Sequence, residues 1–307
     1  MNQNLKRLQR TTQANSVNRT GWLLVTPALL ILMAMTIFPV IYLLQSSFYN
    51  FNLMMPESAR FVGLGNYRFI VTNPDIWQSL LITLLFVLLA VGIELLLGLL
   101  LAFALARQSV ENSIASAILI LPMAVTPVVS SLIWRELFNP NYGWVDYYLQ
   151  QIGLMGRPVE WLSSPFTAWV TLLSLDVWQW TPFVALILMA GLQGISPEPK
   201  EAAAVDGARG WQMLWYITLP MLRPFIAIAV VLRALDAFKT FGTVKVLTGG
   251  GPGVSTEIIN LTIYRVALQD FSVGSAAALG IVFLALLSII VPQLLKVMAR
   301  NTDILEG

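Results

Sequence analysis

The 307 residues contain no cysteine and no histidine, and charged side chains make up only 11% of them, about half the share of an average soluble domain. Without cysteine there are no disulfides, thiol nucleophiles or cysteine-based zinc sites. Without histidine there is no imidazole base. Any chemistry falls to carboxylates, Lys, Arg, Tyr or Ser/Thr. Charge of one sign is also scarce: 18 basic and 16 acidic residues leave a net charge of +2. A pI near 8.9 on so small an excess does not point to nucleic acid. What is abundant is apolar, at 57%. A soluble globule of this make-up would leave large apolar patches facing water. The composition therefore excludes disorder, argues against a soluble enzyme and describes a polytopic membrane protein.

A membrane-spanning helix needs about 20 mostly apolar residues. Five stretches qualify readily, at 22–44, 78–106, 114–134, 166–193 and 274–295. The third holds Pro122 and Pro127, which predict a kink that neighbouring helices must satisfy. A sixth, 219–241, carries Arg223, Arg233, Asp236 and Lys239. Its end charges can reach the interface, and Arg233 and Asp236, three apart on one face, form a candidate structural pair. The predicted fold class is thus all-α, with six transmembrane helices. Residues 1–21 and 296–307 are tails, and 22–295 form one membrane domain. No connection is long enough for a separate soluble domain.

Orientation follows from the basic residues. The first tail holds Lys6, Arg7, Arg10 and Arg19 and no acid. With six spans its side also receives Arg107, Lys200, Arg209, Arg223, Lys296 and Arg300. The other side receives Arg60, Arg68, Arg135, Arg157, Lys245 and Arg265. Both termini are therefore expected in the cytoplasm. The first apolar stretch is too long for a signal-peptide core, and no small-x-small cleavage site follows, so it reads as an anchor.

The loop 196–220 differs from the other connections. Pro197 and Pro199 suit a helix start, Glu198 and Glu201 complement the helix dipole there, and Gly207 stops or bends the run. The result is a short cytoplasmic helix with a nearly bare face at Ala202 and Ala203, either a plain amphipathic linker or a surface shaped to sit against another protein. The spacing decides between them. Glu201-Ala202-Ala203, three residues, Gly207, nine residues, Ile217, one residue and Leu219-Pro220 resembles the EAA signature of permease subunits of bacterial ABC importers. Residues 61–67 (Phe-Val-Gly-Leu-Gly-Asn-Tyr), Trp178 with Thr181-Pro182-Phe183, and 247–252 (Leu-Thr-Gly-Gly-Gly-Pro) with Thr256 and Tyr264 extend the likeness. Together they resemble the carbohydrate-uptake branch, the maltose- and glycerol-phosphate-type inner membrane components, in a simple six-span form without a large periplasmic insertion.

The resemblance implies a bacterial inner-membrane permease that forms a heterodimer with a second, different permease. It implies two separate ATP-binding subunits, which carry ATP and Mg, and an extracytoplasmic solute-binding protein that delivers a sugar or polyol. The ATPase-coupling residues are then Glu201, facing a basic group on the ATPase, Ala202 and Ala203, allowing close approach, Asp206, and Gly207, setting the bend. No cofactor is expected on this chain, and it is not expected to be an enzyme. Its Gly-rich run at 249–253 lacks the Gly-Lys-Ser/Thr ending of a phosphate-binding loop and reads as a tight outer turn.

Ionisable groups within spans are functional candidates because they are costly to keep there. Glu94 and Asp176 are two such groups. Asp176, Gln179, Trp180 and Phe183 recur at helical spacing and share a face. A carboxylate, an amide and two rings on one face would suit a sugar in a translocation pathway. The competing reading is that Glu94 and Asp176 join interhelical hydrogen bonds or pair with Arg233. Trp22, Trp77, Trp134 and Trp169 sit at span ends, where an interfacial belt explains them.

Two other classes compete. A secondary transporter would use Glu94 and Asp176 for a coupling ion and would favour inverted repeats, which the sequence does not display. A membrane enzyme acting on lipid-linked sugar would need an acid cluster near a metal, whereas the loop acids are scattered singly. The solute, and the permease that holds its main site, are not written in this chain.

Overall fold

The computed structural model describes residues 2–106 and 110–300, with side chains described for 22, 24–106 and 111–296. Arg107 and residues 301–307 lie outside the described residues, as do the side chains of Lys6, Arg7, Arg10, Arg19 and Arg300. Among the described residues the regular structure is almost entirely helical. Its first helix, α1 (Asn2–Ser46), presents most of its apolar side chains from Leu24 to Leu44 uncovered. It meets the rest of the molecule near its end, where Leu43 approaches Gly280. A two-residue ribbon follows, β1 (Tyr49–Asn50) and β2 (Arg60–Phe61), antiparallel with Tyr49 opposite Phe61. Beyond it comes the short α2 (Gly65–Thr72).

The long helix α3 (Pro74–Leu105) starts where local chemistry dictates. Asn73 accepts a hydrogen bond from the Asp75 N–H through its side chain, and Pro74 occupies the first turn, where its missing N–H is harmless. Next come α4 (Val110–Leu119), α5 (Leu121–Ala124) and α6 (Pro127–Leu137). Residues 111–124 and 127–137 meet at 93°. The sequence predicts a kink within one span at 114–134, and the turn is close to a right angle. Pro127 excludes the helical conformation from the residue before it, and Thr126 is extended at φ −65°, ψ 143°.

After α7 (Trp144–Gln151), α8 (Pro165–Gly194) runs unbroken for 30 residues. Its ends therefore open on opposite faces of the membrane region, about 45 Å apart at 1.5 Å per residue. Then come α9 (Glu198–Val205) and α10 (Gly210–Met213), which passes through a π turn (Leu214–Thr218) into α11 (Leu219–Phe238). The fifth span is thus one helix of 29 residues from Gly210, where the sequence suggests a start at 219. The wide turn sits ahead of Pro220, whose ring would otherwise press on a carbonyl four residues back. The chain closes with α12 (Gly242–Leu247), α13 (Ile259–Leu268) and α14 (Val273–Arg300). Among the described residues five helices are long and apolar enough to span a membrane, and the bent pair makes a sixth if taken as one span.

The core lies where α3, α8 and α11 meet. Phe86, Leu172, Leu175, Ala234 and Ala237 fill one end, and Ala102, Val184, Leu188, Leu222 and Ala229 the other. Small residues let the backbones close up. At Gly98 a Cβ would stand 2.7 Å from Val184 Cγ1, so only glycine allows α3 this near α8. Loops are tied back to the bundle by single polar groups: Thr83 Oγ1 accepts the Ile259 N–H at 2.8 Å, and Trp169 Nε1 donates to the Ser255 carbonyl at 2.8 Å.

Candidate functional site

Two constellations carry the candidate residues, a protruding helix at one end of α8 and a buried ion cluster midway along it. The protruding helix is α9. Glu201, Ala202, Asp206 and Gly207 are exposed and Ala203 is half-buried. The helix ends in a left-handed stop: Gly207 has φ +82°, the Ala208 N–H donates to the Ala203 carbonyl at 2.9 Å and the Gly207 N–H to the Ala204 carbonyl at 3.1 Å. That pattern satisfies the last carbonyls and needs glycine at the turn. Opposite, the Arg209 N–H donates to Gln212 Oε1 at 2.9 Å and starts the next helix. Trp211 and Trp215 stack edge to face at 5.4 Å beside this corner, both largely exposed. The five coupling candidates thus sit together on one uncovered corner bordered by apolar rings.

The ion cluster joins the three core helices. Arg233 on α11 is buried, with 1% of its side chain exposed, and contacts Glu94 on α3 and Asp176 on α8, both as deeply buried. Its Nε stands 2.7 Å from Glu94 Oε2 as an ion pair, without the alignment of a hydrogen bond. An N–H of the guanidinium donates to Asp176 Oδ2. Asp236, half exposed, is the more distant partner at 3.4 Å. The guanidinium also lies over the Trp180 ring, 5.3 Å from its centre. The pair suggested by sequence, Arg233 with Asp236, is present, but the closer contacts of Arg233 cross between helices. The single guanidinium charge, shared between both groups, offsets part of the cost of removing two carboxylates from water.

The four α8 residues with a common face do not all point into open space. Asp176 is turned to Arg233. Gln179 is buried and donates from Nε2 to the Val125 carbonyl at 2.7 Å, holding the bend between α5 and α6. Trp180 and Phe183, half-buried, meet edge to face at 6.4 Å. Trp178 faces the other way and packs on Trp134 at 5.8 Å. The run at 249–253 turns tightly, with positive φ at Gly249, Gly250 and Gly253.

Residues 136–161, where several aromatic and amide side chains come together, hold none of the candidate site residues legible in the sequence, and their density between two spans is the one local signal of them. Glu257, likewise without a motif, holds Arg265 at 2.9 Å and accepts from Thr262. Among the described residues no group of three or more acidic side chains is arranged to hold a metal ion.

Comparison with known proteins covers most of the chain. Residues 94–303 match the family model of the binding-protein-dependent transport system inner membrane component. The chain is 35% identical over 262 residues to the trehalose/maltose transport system permease protein MalF of Thermococcus litoralis, covering 85% of this chain and 88% of that protein. It is 32% identical over 285 residues to the trehalose transport system permease protein SugA of Mycobacterium tuberculosis, covering 92% and 89%. In fold it matches a chain of a bacterial ABC transporter involved in the import of the acidic polysaccharide alginate, with a TM-score of 0.80 at 23% identity, over 95% of this chain and 99% of that one.

Proposed function

The chain belongs to the binding-protein-dependent transport system inner membrane components, and from that premise we propose how it works. It is a multi-pass inner-membrane permease of a sugar-importing ATP-binding-cassette system. A second permease pairs with it, covering the exposed apolar side of α1, and the two line the pathway. Two ATP-binding subunits, holding ATP and Mg, seat against the corner formed by α9, so hydrolysis belongs to them and this chain is not itself an enzyme. A binding protein on the face opposite α9 delivers the solute. Both termini lie on the α9 side, in the cytoplasm. The solute class is an α-linked disaccharide of the trehalose or maltose kind, supported by the names of the relatives at 35% and 32% identity.

The observation that carries the mechanism is the exposure of the whole signature on a helix held at a fixed angle. Glu201, Ala202 and Ala203 offer one carboxylate flanked by bare backbone, which a basic cleft can approach closely. Glu94, Asp176 and Arg233 bind α3, α8 and α11 to one another, so that a push on α9 reaches α8 and the bundle moves as one body. Trp180 and Phe183 are then the α8 side chains of that face left for the solute. The test is co-purification from a host expressing the full system, with solute-stimulated ATP hydrolysis as readout. Glu201→Lys should insert in the membrane, lose the ATPase subunit or uncouple it, and abolish uptake. Wild type that brings down no ATPase, with the reversed charge changing nothing, would refute the reading.

A further inference from the structure

Residues 136–161 build a rigid cleft at the end of α8 remote from α9, between the outer end of α6 and α7. Its volume is about 570 Å³, inside the range of about 300–1,000 Å³ typical of small-molecule sites. Its frame is fixed from behind. Asp146, buried, accepts from Trp161 Nε1 at 2.9 Å and from the Val159 N–H at 3.3 Å, which ties α7 to the segment leading into α8. Trp134 stacks on Phe138 at 5.3 Å, and Phe138 meets Trp161 edge to face at 5.2 Å. The Gly143 N–H donates to the Asn139 carbonyl at 2.7 Å, closing the turn before α7. Tyr142 donates to Glu136 Oε2 at 2.6 Å, so its ring is held by its hydroxyl.

On this frame the lining is left open. Trp144 is 68% exposed, and Tyr142, Tyr147 and Tyr148 are uncovered as well. Gln150 and Gln151 stand exposed in the same wall, and among the described residues their side-chain amides make no hydrogen bond. Flat rings in a concave wall offer electron-rich faces to C–H groups, and free carboxamides offer both donor and acceptor to hydroxyls. That pairing is the recognition chemistry of a neutral sugar. It is a poor match to an anion, because no basic side chain lines the cleft. An interfacial belt would spread its rings around the membrane edge, whereas these rings and amides converge on one cleft.

We propose that this cleft is a saccharide-binding site on the outer face of the permease, separate from the pathway between the spans, which holds a sugar ring close to the binding protein before or during its release. The proposal rests on the sugar-import reading and on α9 being cytoplasmic. Trp144 and Tyr147 supply the stacking faces, and Gln150 and Gln151 the hydroxyl contacts. Because Asp146, Glu136 and the aromatic stack already fix the frame, little ordering is needed on binding.

The test uses the assembled transporter in lipid nanodiscs without binding protein, probed with trehalose and with maltose by saturation-transfer difference NMR. Wild type should transfer saturation to sugar C–H protons. Trp144→Ala and Tyr147→Ala, both at exposed positions, should each weaken apparent affinity by roughly fivefold, the loss of one ring face, while Trp144→Phe keeps most of the signal. Equal signals in all variants, or no signal in wild type, would overturn the proposal. So would quenching of Trp144 fluorescence by nitroxide lipids, which would place the rings in headgroups instead. Binding-protein-dependent uptake measured in parallel separates the two levels. If sugar is taken up but the cleft gives no signal, the cleft proposal alone falls; if no sugar is taken up or stimulates hydrolysis, the function beneath it falls too.

Discussion

Arg233 Nε and Glu94 Oε2 lie 2.7 Å apart although 139 positions separate them in the chain, and the contact is sealed from solvent on both sides. A guanidinium placed between Glu94 and Asp176 makes α3, α8 and α11 mutually dependent. Loss of Arg233 leaves two carboxylates stranded in the bundle, whereas loss of either carboxylate leaves Arg233 paired with the other.

Arg233→Ala strands two carboxylates at once and is expected to destabilise the folded permease by about 3–5 kcal/mol. Thermal aggregation of detergent-solubilised protein should show a large drop in midpoint. Combining Arg233→Met with Glu94→Gln and Asp176→Asn should recover much of the loss. A triple variant no better than the single one would mean the cluster is not the source of the stability.

Gln179→Leu keeps the volume and removes the donor that holds the Val125 carbonyl at 2.7 Å. An unpartnered backbone acceptor at the bend costs about 1–3 kcal/mol. Limited proteolysis should then cut faster between 120 and 130 than in wild type. An unchanged cleavage pattern would show that the bend is held by Pro122 and Pro127 alone.

At Gly98 an added methyl meets Val184 Cγ1 at 2.7 Å, so Gly98→Ala should cost about 1–3 kcal/mol through overpacking. Adding Val184→Ala removes the nearest obstacle, leaving Val184 Cβ at 3.1 Å and the Ala185 N at 3.2 Å, and should restore part of the stability. Additive losses in the double variant, read as melting shifts, would contradict the close contact between α3 and α8.

Gly207→Ala puts a Cβ on a residue at φ +82°, a left-handed strain of about 1 kcal/mol. There is open space around that Cβ, so folding of the permease should hold. What should change is the angle between α9 and α10, and with it the shape of the exposed corner. Solute-stimulated ATP hydrolysis in the reconstituted system should fall several-fold while the melting midpoint moves little. Full stimulation in Gly207→Ala would show that the stop is not needed for coupling.

Much of this architecture is legible in hydropathy and in one loop. Runs of apolar residues mark the spans because a bilayer forces twenty of them in succession, and 196–220 shows its helix through proline, glutamate and glycine placement. The bend is legible in Pro122 and Pro127 but its angle is not, and nothing local in the sequence shows Gln179 reaching Val125 from another helix. Arg233 illustrates the limit of local reasoning. Spacing links it to Asp236, three residues away, but burial links it to Glu94 and Asp176, and burial is a property of packing that spacing does not contain. The start of the fifth span at Gly210 was hidden for a similar reason. Pro220 looks like a helix boundary, and the π turn ahead of it lets the helix run through.

The unbroken run of α8 has a mechanical consequence. Its two ends, one beside α9 and one beside the aromatic cleft, are joined by a rod about 45 Å long. A tilt of only about 5° about one end carries the other sideways by roughly 4 Å on that length, more than a hydrogen bond and close to the thickness of an aromatic ring. Under the proposed coupling the gear ratio is thus set by helix length: a small rotation imposed at the α9 end is enough to make or break a stacked contact at the other.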